Sequence, residues 1–534
     1  MSSAGLIEIV ASQGSPQINA LQKLSGLDTV SLWSVSYRSV TNFSLEHNEC
    51  TLSSSPSGTA AGQRLIFRIS KAGDLMTSAW LEVKCPQICL QGETSAVGGT
   101  KGIASYVHAV GYAMLQSVSF TVSNHSQEDV SGIWHNIAEE LHTPCGRRVK
   151  ASVFKHDRIT LPEMDKLSRQ GMTLMVPLRL FFTTGISSNL PLASLSCHDL
   201  DIIVTLRSLH DCVVGLAANS ANTALESPTV CHGPLTSSAK TASDALDWSH
   251  FQFRLWAGQV YLDSAERQSV ATRDHSILMK TVHTYTSHTQ DEGYPVPESG
   301  SITLQNLPFN HPISSLVWVI GDKERRASHA STVSTGGTPY GAGVRALYGQ
   351  VATATSGGTL DGDTDFNVIR EGATSLGSVG SVNVLSSAGV KEHRSDRQNG
   401  SLHLVGDIFD YRTTDANGNE IEPLVSASLQ LNNQERWDTN LAPSYFNLVQ
   451  PALHFQNVPA KGIYAYSFAQ NASSQFPNGT INASRIDDKT LRLTAPSYTT
   501  GSNGAKVSKE AYIFAEYFQI FQSKKNSVGK LFGN

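Results

Sequence analysis

Short segments in which apolar and polar residues alternate recur along most of the chain, and this pattern limits the fold more than any other feature. In "LIFRIS", Leu65, Phe67 and Ile69 fall on one face of an extended segment, and Arg68 and Ser70 fall on the other. The same alternation occurs in "SVSFTVS" (117–123), "LDIIVTL" (200–206), "FQFRL" (251–255) and "VSASLQLN" (425–432). Because a period of two is the signature of half-buried strands, the sequence predicts an all-β protein built from stacked antiparallel sheets.

Two segments carry the strand pattern to unusual lengths. "WSVSYRSVTNFSLEH" (33–47) predicts one long strand, wet on one face, with an apolar face formed by Trp33, Val35, Tyr37, Phe43 and Leu45. "YIFAEYFQIF" (512–521) is apolar on both faces instead, which predicts a strand that is covered from both sides.

Two segments of the first half have a helical period instead. "SQEDVSGIWHNIAEELH" (126–142) places Ile133, Trp134, Ile137 and Leu141 on one stripe, which predicts a helix near 127–142. "TLPEMDKLSRQG" (160–171) begins with a capping signature and ends at Gly171, which predicts a second helix near 161–170. We therefore expect short helices inserted between strands.

The length of 534 residues favours two domains, since single cores stop growing at roughly 250–300 residues. Strong strand alternation resumes at Trp248, after a Gly- and Ser-rich stretch at 217–244, and a longer stretch of similar composition covers 322–400. Both stretches read as surface loops. The predicted organisation is an N-terminal arm at 1–30, a first domain at 31–247, and a second domain at 248–534 with a long loop at about 322–400 and a tail at 523–534.

Charge and hydropathy argue against nucleic-acid and membrane functions. The formal net charge is -5 and the isoelectric point is about 6.4, so direct wrapping of DNA or RNA is disfavoured. The first residues, "MSSAGLIEIVASQG", lack a basic start and contain Glu8, which disfavours a secretory signal. No apolar stretch reaches a spanning length, and we expect a soluble protein made in the cytosol.

Motif searches give no enzyme signature and no cofactor site. "CPQIC" (85–89) has the spacing of a zinc ligand pair but lacks a second pair. "DGDTDFN" (361–367) begins like a calcium loop, yet Phe366 and Gly372 stand where an EF-hand needs Gly and Glu. The N-x-[ST] triplets begin at Asn42, Asn124, Asn399, Asn471, Asn478 and Asn482. We predict no catalytic residue, no cofactor and no metal, and a structural or binding role.

Several motifs in one order resemble the major capsid proteins of the nucleocytoplasmic large DNA viruses, the group that includes irido-, phycodna- and mimivirus-like viruses. The segment "VPLRLFFTTGISSNLPLASLSCHDLDIIV" (176–204) carries the resemblance most clearly. The others are "YRSVTNFSLE" (37–46), "KAGDLMTSAWLEVKCP" (71–86), "LDSAERQ" (262–268), "FNHPISSLVWVI" (309–320), "YFNLVQPALHFQNVPAKGIYAYSFA" (445–469) and "PNGTINASRIDDKTL" (477–491). They extend over nearly the whole chain apart from 217–244 and 322–400.

The resemblance implies a double jelly roll, in which each domain is an eight-stranded antiparallel β-sandwich barrel with short inserted helices and long surface loops. The positions that match the family's motifs are implied to be structural and are Tyr37, Arg38, Thr41, Asn42, Phe43, Gly73, Asp74, Leu75, Pro191, Leu192, His311, Pro312, Trp318, Gln450, Pro451, Tyr466, Ser467, Phe468, Ser484, Arg485, Ile486 and Asp487. We expect Arg485 to tie the start of the following strand through Asp487 and Asp488.

The resemblance also implies an assembly. Three copies would form a pseudo-hexagonal capsomer, and capsomers would tile the icosahedral shell of a large double-stranded DNA virus. The implied partners are the chain itself as a homotrimer, neighbouring capsomers, and minor capsid and penton proteins. Nucleic acid is not a direct partner, an inner membrane is only an indirect one, and the loops could reach the host surface. The implied location is the virion, after assembly in the host cytoplasm.

Two other functions stay open at this stage. A capsid paralogue or a glycan-binding attachment jelly roll on the virion surface would use a related fold, although an attachment protein needs aromatic residues on loops and only Trp437 looks close to one. A cupin-like metalloenzyme would need several His and a Glu inside one barrel. No local His cluster of that kind is visible in the sequence.

Overall fold

The computed structural model describes residues 41–89, 103–107, 109–144, 171–185, 188–218, 223–225, 229–232, 241–285, 293–322, 409, 411, 413–414, 420–437, 441–496, 509–524 and 527–532. The chain divides into two compact units, Met1–Phe43 and Ser44–Asn534, and the described residues lie almost wholly within the second. The predicted arm at 1–30, the predicted helix at 161–170 and nearly all of the predicted loop at 322–400 lie outside the described residues.

Fifteen strands lie in the described part of residues 43–262, and they are β1 (Phe43–Leu52), β2 (Gln63–Arg68), β3 (Leu75–Cys85), β4 (Ile88–Cys89), β5 (Ile103–Tyr106), β6 (Leu115–Val122), β7 (His125–Ser131), β8 (Met172–Pro177), β9 (Leu190–Pro191), β10 (Leu200–Leu206), β11 (Val213–Ala218), β12 (Thr223–Leu225), β13 (Thr229–His232), β14 (Thr241–Ala245) and β15 (Gln252–Leu262). Eight of them are hydrogen-bonded in the order β7-β6-β10-β2-β1-β15-β3-β8. The pairing of β1 with β2 joins the two four-stranded halves of this order. These eight strands are the first roll. Strands β11 to β14 pair with β4 and β5 in two small sheets, partly within the segment that we predicted as a loop.

The second half contains thirteen strands among its described residues, and they are β16 (His275–Tyr285), β17 (Tyr294–Val296), β18 (Ser301–Leu304), β19 (Pro312–Asp322), β20 (Thr413–Thr414), β21 (Glu420–Ile421), β22 (Ser426–Leu431), β23 (Gln434–Trp437), β24 (Ile463–Ser467), β25 (Ile481–Asn482), β26 (Lys489–Thr494), β27 (Lys509–Lys524) and β28 (Ser527–Lys530). Its two main sheets have the orders β16-β27-β19-β24 and β18-β26-β22-β23. These eight strands are the second roll. The two orders repeat those of the first roll position by position, so the fold is the predicted double jelly roll.

Helices fill the connections between strands. The α-helices are α1 (Val110–Ala113), α2 (Gly132–His142), α3 (Ser264–Thr272) and α4 (Gln450–His454); a π-helix (Tyr445–Val449) runs directly into α4, and short 3-10 helices cover Phe181–Thr183, Leu209–Asp211, Trp248–His250 and Ala483–Arg485. Pro451 explains the π-turn, since it has no N–H to donate within a regular α-helix.

The helix predicted near 127–142 begins later than the sequence indicated. Ser123 and Asn124 both have positive φ angles, 48° and 66°, and form a tight turn that returns the chain alongside β6. Residues 125–131 therefore pair as β7, and α2 begins only at Gly132. The hydroxyl of Ser131 caps it by accepting a hydrogen bond from the N–H of Ile133 at 3.3 Å.

The predicted strand faces are confirmed in the cores but not at the start of β1. Leu65 and Phe67 are fully buried, and β27 is buried on both faces over most of its length. Phe43 and Leu45, predicted to belong to an apolar face, are instead 52% and 65% exposed. Val425 is also exposed, contrary to its place in the alternation. Alternation identifies which residues share a face, but it does not identify what covers that face.

The boundary that we predicted between residues 247 and 248 stays a prediction. Strand β15 pairs with β3 from Gln252 to Val260 and therefore belongs to the first sheet. We propose that the first roll extends to Leu262 and that α3 joins the two rolls.

Candidate functional site at the seam between the rolls

The two rolls contact each other along a surface that we call the seam, and a buried ion network lies in it. Glu516 of β27 lies 3.3 Å from the ammonium of Lys280 and 3.0 Å from Nε2 of His142, which is the last residue of α2. The hydroxyl of Ser315 donates to the same carboxylate at 2.5 Å. Since His142 belongs to the first roll and the other three residues to the second, the network ties the rolls together.

The electrostatics of this network follow from burial and from the neighbouring charges. Burial alone would raise the pKa of Glu516, but His142 and Lys280 lower it below its ordinary value, so the carboxyl stays ionised. Burial lowers the pKa of His142, although the carboxylate of Glu516, 3.0 Å from its Nε2, acts in the opposite direction. Its other nitrogen, Nδ1, lies 2.9 Å from the hydroxyl of Ser473. Lys280 and Glu516 therefore form a buried ion pair, and His142 reaches it from the first roll.

A second buried carboxyl of the seam behaves differently. Glu128 of β7 accepts a hydrogen bond from the backbone N–H of Phe181 at 2.8 Å and another from the hydroxyl of Thr281 in the second roll. Burial raises its pKa to about 7, although Lys530 nearby acts in the opposite direction. The Glu128 carboxyl therefore binds a proton at a much higher pH than an ordinary glutamate does.

A cavity of about 500 Å³ opens between these groups and is lined by Trp80, Trp134, Arg179, Lys280 and Glu516 among others. Its lining includes Arg179 from the first roll and the Lys280–Glu516 ion pair from the second. The chemistry that this arrangement supports is attraction between two packed surfaces. Within the described residues, no group of three or more His, Cys, Asp or Glu side chains could hold a metal ion.

The predicted residues Gly73 and Asp74 lie where the first roll leads into α3. The carboxylate of Asp74 accepts from the N–H of Leu262 at 2.8 Å and pairs with Arg267 of α3 at 2.9 Å. The N–H of Gly73 donates to the amide oxygen of Gln259 at 2.8 Å. A Cβ at position 73 would lie 2.7 Å from the Cβ of Gln259, so this close approach needs glycine. These residues hold the joint between the rolls.

The predicted residues His311 and Ser484 are in direct contact within the second roll. His311 has a φ angle of 69°, and its N–H donates to the hydroxyl of Ser484 at 2.8 Å. The carbonyl of His311 accepts from Ala483, and its ring stacks on Tyr517 with centroids 5.3 Å apart. This turn fixes the start of β19 against the loop before β26.

Gln450 and Ser467, also predicted from the motifs, are joined to each other. The amide oxygen of Gln450 accepts from the N–H of Ser467 at 3.1 Å, and its nitrogen donates to the hydroxyl of Tyr445 at 2.8 Å. The helix at 445–454 is thereby fastened to β24.

The remaining predicted positions are scattered over the fold. The buried positions are Pro191, Leu192, Trp318 and Pro451, and the exposed ones are Thr41, Asn42, Phe43, Arg485 and Asp487. Half-buried at or beside strand ends are Leu75, Pro312, Tyr466 and Phe468, and Ile486 is half-buried after the 3-10 helix Ala483–Arg485. Tyr37 and Arg38 lie outside the described residues. The structural role assigned to these positions stays a prediction.

The expected ion pairs of Arg485 do not form with Asp487 or Asp488 in the described structure. The turn is held instead by Asn432, whose side-chain oxygen accepts from the backbone N–H groups of both aspartates at 3.2 Å. Lys489 reinforces it by donating to two carbonyls of the preceding turn. The expected charge contacts are thus replaced by contacts to the backbone.

The features that we set aside as chemical candidates are resolved only in part. The thiol of Cys85 is free and buried, whereas Cys89 is disulfide-bonded, so "CPQIC" does not present a ligand pair. The acidic segment 361–367 lies outside the described residues. Trp437, the tryptophan that looked close to a loop, is buried on β23. No helix in the described part of the chain combines the length and hydropathy needed to cross a membrane.

Sequence reasoning missed the seam network altogether. The available signal was Glu516, a single charge inside a strand that is apolar on both faces, because a charge in such a place requires a buried partner. Its partners Lys280 and His142 carry no local signal, since they reach it only through the packing of the two rolls.

Comparison with known proteins gives matches over nearly the whole chain. The family described as "Large eukaryotic DNA virus major capsid protein" matches residues 266–528, and the family described as "Major capsid protein N-terminus" matches residues 31–263. The major capsid protein of Phaeocystis pouchetii virus is 25% identical, with 99% of each chain covered. That of Paramecium bursaria Chlorella virus 1 is 24% identical, over 88% of this chain and 84% of the relative.

Two solved structures have a similar fold. The quasi-atomic model of the PBCV-1 virus capsid has a TM-score of 0.59 at 21% identity, with coverage of 94% of this chain and 100% of that chain. The Faustovirus major capsid protein has a TM-score of 0.55 at 10% identity, with coverage of 97% and 96%. At these identities the likeness concerns the fold.

Proposed function

Because the chain belongs to the major capsid protein family of the large eukaryotic DNA viruses, we propose that three copies form a pseudo-hexagonal capsomer and that such capsomers tile an icosahedral shell. The chain is a structural capsid protein of the virion and assembles with other capsid subunits. The trimer is the step that this proposal adds.

The observation that carries the proposal is the internal repeat of the fold. Each roll orders its strands in the same way, β2-β10-β6-β7 with β1-β15-β3-β8 in the first and β18-β26-β22-β23 with β16-β27-β19-β24 in the second. Three copies would supply six equivalent rolls, which is the number needed for a six-sided outline. Closed rings of identical chains are the common form of symmetric assembly.

Further partners follow from the same proposal. Minor capsid and penton proteins would contact the capsomer, the inner membrane would be reached only through them, and nucleic acid would not be contacted directly. The net charge of -5 supports the last point, since an acidic chain is repelled by phosphates. Assembly in the host cytoplasm and a non-enzymatic role belong to the same proposal.

Light scattering on the purified chain, with negative-stain images of the same peak, tests the proposal. A mass of three chains of 57.5 kDa and a hexagonal outline are expected. A stable single chain with intact β-structure would refute the trimer. It would favour a divergent paralogue or an attachment protein instead.

A further inference from the structure

The internal repeat makes each connection in one roll comparable with a connection in the other. In the first roll, α2 lies between β7 and β8, and in the second roll the helix at 445–454 lies between β23 and β24. These strands occupy corresponding places in their sheets. The two helices are therefore equivalent elements, and their surroundings can be compared directly.

The first of these helices is sealed inside the chain by the second roll. Residues 132–141 of α2 are all buried, and Trp134 stacks against Phe514 of β27 with ring centroids 5.2 Å apart. On β27 and β19, Phe514 and Val317 belong to the same apolar cluster as the first roll, whereas their neighbours Ile513 and Trp318 belong to the core of the second. The second roll therefore offers the outer face of its β27 and β19 to α2.

The equivalent helix of the second roll has an apolar stripe that no described residue of this chain covers. Leu448, Val449 and Leu453 are 50%, 43% and 68% exposed, and Val449 and Leu453 are neighbours at i and i+4 on the helix surface. Strand β23, which corresponds to the well-covered β7, also exposes three of its four residues. The helical side of the second roll is thus open where that of the first roll is closed.

The complementary surface of the first roll is open as well. Strand β15 corresponds to β27, yet its first half is buried on one face only and leaves Gln252, Arg254 and Trp256 on the other. Trp256 stands opposite Trp80 on β3, much as Phe514 stands opposite Val317 on the corresponding strands of the second roll. The start of β1 beside this face is exposed, with Leu45 at 65%.

We propose that the exposed stripe Leu448, Val449 and Leu453 of one copy packs on the open face formed by Leu45, Arg254 and Trp256 of a second copy. This contact between copies would resemble the seam within one chain. The helix at 445–454 of the second roll would take the part of α2, and the neighbour's first roll would take the part of the second roll. It is heterologous, so each chain gives one surface and receives the other, which is the condition for a closed ring. The inference rests on the proposed assembly and names the surfaces that would produce it.

The composition of both surfaces fits a partner of this kind. The stripe is aliphatic, and the receiving face combines aromatic area with a polar handle, since the indole N–H of Trp256 donates to Glu82 at 2.7 Å. Tryptophan and arginine are enriched where protein interfaces bind most strongly. Exposed apolar residues that cluster on one helix face are unusual for a chain that acts alone.

Two single substitutions test the proposal from opposite sides of the contact. Leu453→Asp places a charge in the stripe, and Leu45→Asp places one on the receiving face, and both residues are exposed enough for the rolls to keep their fold. We expect each variant to show association weakened roughly tenfold or more by light scattering, with its circular dichroism unchanged. Phe532→Asp, at an exposed apolar residue on the C-terminal segment, is the matched control and should assemble like the unsubstituted chain.

Mixing the two variants gives the decisive result. Leu453→Asp keeps an intact receiving face and Leu45→Asp keeps an intact stripe, so the mixture should form two-chain complexes while each variant alone stays a single chain. If the stripe of one copy packed on the stripe of another copy instead, Leu45→Asp would assemble normally, and mixing the variants would not restore the assembly of Leu453→Asp. That result, or normal assembly of both variants alone, would overturn the proposed contact while leaving the capsomer intact. An unsubstituted chain that never assembles would overturn the trimer as well.

Discussion

The buried carboxyl of Glu128 predicts an unusual dependence of stability on pH, which the substitution Glu128→Gln isolates. The pKa of this carboxyl is about 7 in the folded chain against an ordinary 4.5. This pKa difference of roughly 2.5 corresponds to a free energy of about 3 kcal/mol, since one pKa unit is worth about 1.36 kcal/mol. Because the folded pKa is the higher one, this stabilisation is complete below about pH 4.5, falls as the pH rises, and is lost above about pH 7.

Glutamine keeps the shape of the side chain and an oxygen that can accept from Phe181 and Thr281, but it does not titrate. Relative to the unsubstituted chain, Glu128→Gln should be nearly neutral at about pH 4 and should be more stable by up to about 3 kcal/mol at about pH 8. For a chain of this size, that difference corresponds to a melting temperature higher by about 3 °C. Scanning calorimetry of both proteins across this range measures it.

A matched control is Glu49→Gln, since Glu49 is half-exposed and pairs with Arg254 at 3.7 Å on the surface. Its curve should run parallel to that of the unsubstituted chain. If the Glu128→Gln curve also ran parallel, the carboxyl would be ionised throughout the range, and the neighbouring Lys530 rather than burial would dominate its environment.

Three further substitutions test the seam, the joint and the packing between the rolls. Glu516→Ala leaves two buried basic side chains without their carboxylate and should cost about 3–5 kcal/mol of unfolding free energy in urea titration; a loss below about 1 kcal/mol would mean that water reaches the network. Gly73→Ala brings a methyl group within 2.7 Å of Gln259 and should cost about 1–3 kcal/mol, measured as a lower melting temperature, whereas an unchanged value would mean that the joint yields. Trp134→Ala removes the ring that packs on the second roll and should lower the free energy of unfolding by about 3–5 kcal/mol. The control Phe532→Ala, at an exposed position, should change it by no more than about 1 kcal/mol, and similar losses in both variants would refute the packing argument.

The sequence was sufficient for the elements whose signal is local. The alternation around Leu65 and Phe67 predicted their burial, and the doubly apolar strand at 512–521 predicted a strand covered from both sides. The start of α2 was predicted too early, because the turn at Asn124 pairs 125–131 with β6 and this pairing outweighs the helical period. Periodicity reflects only residues that are close in the sequence. It therefore fails where pairing with another strand determines the local structure.

The candidate site depends almost entirely on such distant partners. Gly73 and Asp74 could be singled out as motif residues, but their contacts with Gln259 and Arg267 became visible only when β3 and β15 were placed side by side. The network of Glu516 requires the register of two strands and the end of a helix from the other roll. A charge within an apolar strand predicts that a partner exists without indicating which one.

The two faces that correspond in the repeat differ in a way that suits their different tasks. The face of the second roll carries Phe514 and Val317 and is closed within one chain, so it never meets water once the chain has folded. The face of the first roll carries the half-buried Trp256 and the exposed Arg254 instead, and under the proposed contact a neighbouring copy covers it. A purely apolar face there would promote aggregation of the free chain, whereas aromatic area with polar groups stays soluble and still binds. Under the proposed contact, the same strand positions would serve a permanent contact in one roll and a contact between copies in the other, and their side chains would make the difference.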